Sequence, residues 1–222
     1  MEFNIVDLGR MAYAPCLGVQ RSLVEQVADG SQPSTLLFVE HEPVLTLGAS
    51  FHEANLLLTI AEYKALGIHV VRTDRGGDVT YHGPGQLVIY PIFNLAEVGK
   101  DLHKWLRDLE QTIIKTLDSF GLKGERFPPH TGTWVGDRKI AAIGIKVRRW
   151  VSMHGIALNC DSDLEPFESI VPCGIRDYGV TSLSQELGRK VAIEEAKPVV
   201  AMAFRRVFCA TILDDPDVGK NH

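Results

Sequence analysis

The sequence predicts an α+β (α/β-class) fold, a mixed and largely antiparallel sheet with helices packed on it. Three observations lead there. Strand-length apolar segments arrive in adjacent runs instead of alternating strictly with helices. One long segment carries its apolar side chains at helical spacing. The 222 residues hold neither an internal repeat nor a low-complexity linker, so one domain over 1–222 is expected, its polar tail fraying from about 214 onward.

The long helix is expected over 101–120, DLHKWLRDLEQTIIKTLDSF. Leu102, Leu106, Leu109, Ile113, Leu117 and Phe120 fall on one face in steps of three and four, and Gly121 ends the run. A second helix is expected over 14–27, and a third over 194–208 with Pro198 near its first turn. Strands are expected in TLLFVEH, PVLTLG, GIHVVRT, GQLVIYPIF, KIAAIGIKV and HGIALN. QPST (32–35) and RFPPHTG (126–132) have the composition of loops.

Composition narrows the function. A net charge of −5 lacks the basic balance that phosphate binding needs, which argues against nucleic acid as the main partner. No apolar run approaches bilayer-spanning length, so no membrane partner is expected. The start, MEFNIVDLGR, has no basic-then-apolar signal pattern, and a cytoplasmic location is expected. Cys16, Cys160, Cys173 and Cys209 form no CxxC, and the eight histidines form no HxxxH pair. Neither a metal nor another cofactor is therefore expected.

Four stretches carry the chemistry. In IVPCGIRD, Cys173 stands between Pro172 and Gly174, a turn context that would display a rigid, accessible thiol. The run RGGDVTYHGPGQ (75–86) suits close backbone approach to a ligand, yet matches neither a dinucleotide fingerprint nor a P-loop. In RKIAAIGIKV, strict alternation puts Lys139 on the face of Ala141, Ile143, Ile145 and Val147, opposite Ala142 and Gly144. Either that ammonium is buried, or the strand starts at Ile140 and the lysine reaches solvent from its end; periodicity alone favours the second. In SMHGIALNC, Gly155 and Ala157 leave one strand face thin. Spacing assigns no role to His82 or His154.

Together RGGDVTYHGPGQLVIYPI, RKIAAIGIKV, HGIALN and IVPCGIRDYGVTSL resemble the lipoyl(octanoyl) transferase family, in the expected order and over nearly the whole chain. The resemblance implies a fold like the biotin and lipoate protein ligase catalytic domain. It implies transfer of an octanoyl group from octanoyl-acyl carrier protein to a lysine of apo lipoyl domains, those of 2-oxoacid dehydrogenase complexes and of the glycine cleavage H protein. Cys173 then matches the acyl-accepting nucleophile, and Lys139 its partner, as base or as the cation that favours the thiolate. The acyl-binding segments map to Arg75, Gly76, Gly77, Asp78, Val79, Thr80, Tyr81 and His82, to Ala142, Ile143 and Gly144, and to Gly155, Ile156 and Ala157. An ATP-dependent ligase of the same fold, a thioesterase using the same thiol, and a non-enzymatic lipoyl-domain binder are the alternatives.

Overall fold

The computed structural model describes residues 2–171 and 178–209. Cys173 and the expected frayed tail lie outside the described residues. In chain order the elements are β1 (Asn4–Met11), α1 (Tyr13–Ala28), β2 (Thr35–His41), β3 (Val44–Leu47), α2 (Ile60–Ala65), β4 (His69–Arg72), β5 (Val79–His82) and β6 (Gln86–Ile92). There follow α3 (Leu102–Ser119), β7 (Glu125–Phe127), β8 (His130–Val135), β9 (Arg138–Arg148), β10 (Val151–Asn159), β11 (Gly179–Val180), α4 (Leu183–Leu187) and α5 (Ile193–Phe208).

The larger sheet runs β1-β2-β6-β10-β9-β8-β7, with β11 also on β9, and β4-β3-β5 form a smaller one. The β1–β2, β9–β11 and β3–β4 pairs are parallel and the others antiparallel. The expected mixed, largely antiparallel sheet is what forms.

Continuous apolar strands such as TLLFVEH arise because the larger sheet is covered on both faces. One face sets Leu36, Phe38, Leu87, Ile89 and Leu158 against Trp105, Leu109, Ile113 and Leu117 of α3 and Val200 and Phe204 of α5. Each such side chain removed from water contributes about 1.5–3 kcal/mol. The alternate residues Leu37, Val39, Val88, Tyr90 and Ala157 pack on the other face with Tyr13, Cys16, Leu17 and Val24 of α1. The smaller sheet has its own cluster, in which Leu45, Leu47, Val79 and Tyr81 meet Tyr63, Phe167 and Ile170.

The Asp101 side chain caps α3 by accepting from the His103 and Lys104 N–H groups. Its first turn differs from expectation: Leu102 is 43% exposed, and Trp105 is the buried residue there. Residues 126–132, expected as a loop, belong instead to the β7–β8 hairpin, whose Pro128–Pro129 peptide is cis. β1 is an edge strand with a bulge between Asp7 and Arg10, where Gly9 has φ +62° and its N–H is held by the Asp7 carboxylate. Among the described residues no helix is long and apolar enough to cross a membrane.

Candidate active site

A narrow slot of about 40 Å³ opens between the larger sheet, α1 and the smaller sheet. Its floor is β9 and β10, where Ala142 pairs with Ala157 and Gly144 with Gly155. Small residues in register on adjacent strands leave a groove that neighbouring side chains do not fill. Val88 and Tyr90 of β6 extend the floor, Tyr13 closes one side, and Arg75, Gly76, Gly77, Thr80 and His82 form the roof. A smaller void joins it to Lys139, sharing Thr80, Ala142 and Ala157 with the slot.

The roof is held by backbone and by one buried guanidinium. The Gly76 N–H donates to the Ile145 carbonyl at 2.8 Å, laying the loop directly on β9. A Cβ at Gly144 would come within 2.8 Å of the Gly76 oxygen, so glycine is what permits this approach. Arg75 donates from Nε to Thr46 Oγ1 at 3.0 Å and from its terminal nitrogens to Thr46 Oγ1, the Thr46 carbonyl and the Gly76 carbonyl. Asp78 turns the other way and accepts from Asn55 Nδ2 at 2.6 Å and from the His52 and Val79 N–H groups.

His82 is locked by its neighbours. Both amide protons of Gln86 are spent on the Tyr81 carbonyl and Asn159 Oδ1, so its Oε1 accepts from His82 Nδ1 at 2.7 Å. His82 Nε2 is then the acceptor for the Thr46 hydroxyl at 3.3 Å. Burial, helped by nearby His41, pushes this imidazole down to about 3. His154 has φ +57°, which breaks strand alternation and turns its side chain to Tyr13 and Asp74. Its Nε2 donates to Asp74 Oδ1 at 3.0 Å, yet burial still holds it below its ordinary value. Both histidines are hydrogen-bonded, neutral wall residues.

Lys139 is only 7% exposed. Its backbone lies between β8 and β11, paired with Trp134 and Val180. Alternation put it opposite Gly144; a bulge changes that. Thr133 pairs with Ala141 and the next residue, Trp134, with Lys139, so Ile140 is an extra residue in β9. Ile140 and Ala141 both enter the α3–α5 core, and the parity shift sends Lys139 to the side of Ala142. Its Nζ lies 4.9 Å from the Trp134 ring centre, and no carboxylate pairs with it among the described residues.

A wider recess of about 720 Å³ lies on the outer side of the Gly76–Gly77 backbone, and Lys139 lines it together with Asp78, Ile143 and Gly144. The chain on either side of 172–177 borders this region. The Val171 N–H donates to the Asn55 carbonyl, and Tyr178 packs edge-on against Trp134 with centroids 5.7 Å apart. Of the residues singled out from sequence, Val79 and Tyr81 point away from the slot into the smaller sheet's cluster, and Asp78 faces the recess. Arg75, Gly76, Gly77, Thr80 and His82 meet Ala142, Ile143, Gly144, Gly155, Ile156 and Ala157 at the slot. Lys139 lies at the adjoining void, and Cys173 is outside the described residues. Sequence reasoning missed Tyr13 and Thr46, which come from elements remote in the chain, and Tyr90 and Trp134, which lie on strands next to the singled-out stretches.

A family model, the lipoyl protein ligase A/B catalytic domain, matches residues 12–205. The chain belongs to the lipoyl protein ligase A/B catalytic domain family. Within it, the chain is 47% identical over 201 residues to an octanoyltransferase of Rubrobacter xylanophilus, covering 90% of each sequence. It is also 47% identical over 212 residues to the mitochondrial octanoyl-[acyl-carrier-protein]:protein N-octanoyltransferase of Danio rerio, covering 93% of this chain and 92% of that one. Among solved structures, the lipoate protein ligase of Thermoplasma acidophilum shares the fold with a TM-score of 0.70 at 19% identity, over 93% of this chain and 84% of that one. The biotin protein ligase of Aquifex aeolicus does so with a TM-score of 0.56 at 12% identity, over 95% and 70%.

Proposed function

We propose that this family member is an octanoyltransferase that carries an octanoyl group from octanoyl-acyl carrier protein to a lysine of lipoyl domains through a thioester on Cys173. The observation that carries the reading is a buried lysine, without a carboxylate partner among the described residues, at the end of an apolar slot. The octanoyltransferase relatives at 47% and 48% identity support the same chemistry. Two peptide units separate Cys173 from Val171, a covalent reach of at most about 7 Å, and Val171 is bonded to Asn55 at the recess.

The protons balance through one lysine. The Cys173 thiol gives its proton to Lys139, leaving a thiolate beside an ammonium. The thiolate attacks the donor carbonyl and forms a new C–S bond. The tetrahedral oxyanion needs an N–H donor, and since Gly76 is bonded to Ile145, the Gly77 N–H is our choice. Collapse breaks the old C–S bond, and the departing carrier thiolate takes the proton from Lys139. The acceptor amine then attacks the acyl-cysteine, its proton passes to neutral Lys139, and the amide forms as Cys173 leaves as thiolate. A thioester exchanged for a thioester needs no nucleotide. The nucleophile must be a reduced thiol, which suits a reducing compartment such as the cytoplasm. The acceptors we expect are lipoyl domains of 2-oxoacid dehydrogenases and the glycine cleavage H protein.

A second reading has one observation in its favour: a lipoate-protein ligase A solved with ATP bound shares the fold with a TM-score of 0.70. Transfer from octanoyl carrier protein to apo lipoyl domain, assayed with and without ATP, decides between them. Full activity without ATP supports the octanoyltransferase, and strict ATP dependence supports the ligase.

A further inference from the structure

We propose that the face of Trp134 is the seat of the Lys139 ammonium, a positioning residue that holds this cation aimed into the recess without neutralising it. The proposal rests on the reading of Lys139 as catalytic. A buried ammonium ordinarily demands a counter-ion. A carboxylate there would satisfy it but would also cancel its field at a nearby thiolate. An aromatic face stabilises a cation through its quadrupole and carries no net charge, so the field survives.

Among the described residues, the groups around Lys139 leave that task to the ring. Asp78, which shares the recess, spends its carboxylate on Asn55 and on the His52 and Val79 N–H groups. Glu186, near the β9 end, is held by Arg138 and the Thr181 hydroxyl. Glu110 of α3 is held by Arg126 and the Gly132 N–H. Among the described residues His52 and His130 complete the titratable lining of the recess.

Trp134 is itself built for this use of its face. It is 1% exposed, and its buried indole N–H finds no hydrogen-bond acceptor among the described residues. A buried Trp usually finds one, so packing alone would be served better by phenylalanine. Phe127, His130 and Tyr178 surround the ring, with centroids 5.1, 6.2 and 5.7 Å away, and fix its plane. The Glu110–Gly132 bond pins the same hairpin to α3 at 3.1 Å. A Cβ at Gly132 would stand 3.4 Å from Lys139 Cε, so the lysine stem runs along the bare backbone there and its head reaches the ring.

The test uses Trp134→Leu and Trp134→Phe in the full chain. Two quantities are read: the pH profile of kcat/KM for octanoyl transfer, and the Lys139 Cε–H resonance in protein carrying 13C-lysine, assigned with Lys139→Arg. In the parent that resonance is shifted upfield by the ring. In Trp134→Leu the upfield shift should vanish, and the alkaline limb of the profile should move down by about half a pH unit or more. Trp134→Phe, with a weaker quadrupole, should move both less, and a phenylalanine variant that folds keeps the test alive if leucine does not. An unshifted Lys139 resonance in the parent, or a limb unmoved in both variants, overturns the proposal. Undiminished transfer by Lys139→Met would instead overturn the catalytic reading, while the resonance still judges the seat.

Discussion

Gly144 and Gly155 face each other across β9 and β10, and neither position can take a side chain without displacing backbone. A Cβ on Gly144 meets the Gly76 oxygen at 2.8 Å, and one on Gly155 meets the Ile89 oxygen at 2.2 Å. The slot exists because the roof and the neighbouring strand come this close.

The two glycines therefore separate function from stability. Gly144→Ala should lift the roof loop, lowering kcat/KM for octanoyl transfer by about tenfold or more at a stability cost of about 1 kcal/mol. Gly155→Ala should cost more stability, about 2–3 kcal/mol, because it strikes a neighbouring strand and not a loop. Transfer kinetics and urea midpoints check both. Equal effects of the two on stability would count against this geometry.

Thr46 joins the roof to the wall, accepting from Arg75 and donating to His82. Thr46→Val keeps the shape and removes that hydroxyl, leaving a buried guanidinium short of an acceptor. We expect a loss of about 1.5–3 kcal/mol in urea unfolding and slower transfer. A variant as stable as the parent would mean that the Arg75 bonds to Thr46 contribute little.

Stability should fall in mild acid. His82 is held down to about 3 in the folded protein, against about 6.5 for an unfolded chain, so the folded state binds fewer protons. Its contribution is complete above about pH 6.5 and is lost as the pH drops from there towards about 3. His41 and His154 are depressed by burial in the same direction. Each histidine adds up to about 1.4 kcal/mol per pH unit to the slope. Urea unfolding at about pH 7 and about pH 5 should show the fall, and His82→Asn should remove about one proton from it. An unchanged slope in that variant would contradict the buried, neutral histidine.

Lys139→Ala should abolish most transfer with the fold intact, since the void it leaves borders a recess. Lys139→Arg should rescue poorly even though a guanidinium also stacks on tryptophan, because arginine cannot accept the proton that each half-reaction returns. Steady-state transfer and single-turnover acylation measure this. Near-full rates in Lys139→Arg would show that only a fixed cation is needed.

Much of the fold was legible because burial on both faces writes itself as apolar runs: β2, β6, β9 and β10 lie within or close to the expected segments. The amphipathic face of α3 was legible for the same reason. β1 was not, since an edge strand with a bulge at Gly9 shows no clean period. β7 and β8 were hidden by Pro128, Pro129 and Gly132, which carry the composition of a loop. In the site, RGGD and the glycines on β9 and β10 stood out as bare backbone. The side of the sheet reached by Lys139 did not, because one extra residue at Ile140 reverses strand parity and no local pattern announces it. Trp134 looked like any core aromatic; its role depends on which ring face a lysine from the next strand finds.

The central claim is that the octanoyl group rests on Cys173 between donor and acceptor. Incubation with octanoyl carrier protein and no acceptor should give one octanoyl adduct by intact mass, mapped to Cys173, removed by hydroxylamine and discharged into product by apo lipoyl domain. Cys16→Ala, Cys160→Ala and Cys209→Ala should keep both adduct and transfer, the first two thiols being buried with pKa values pushed up to about 12. Cys173→Ala should show neither. Transfer by Cys173→Ala at a rate comparable to the parent would mean that the acyl group passes directly between substrates, and would contradict the covalent account.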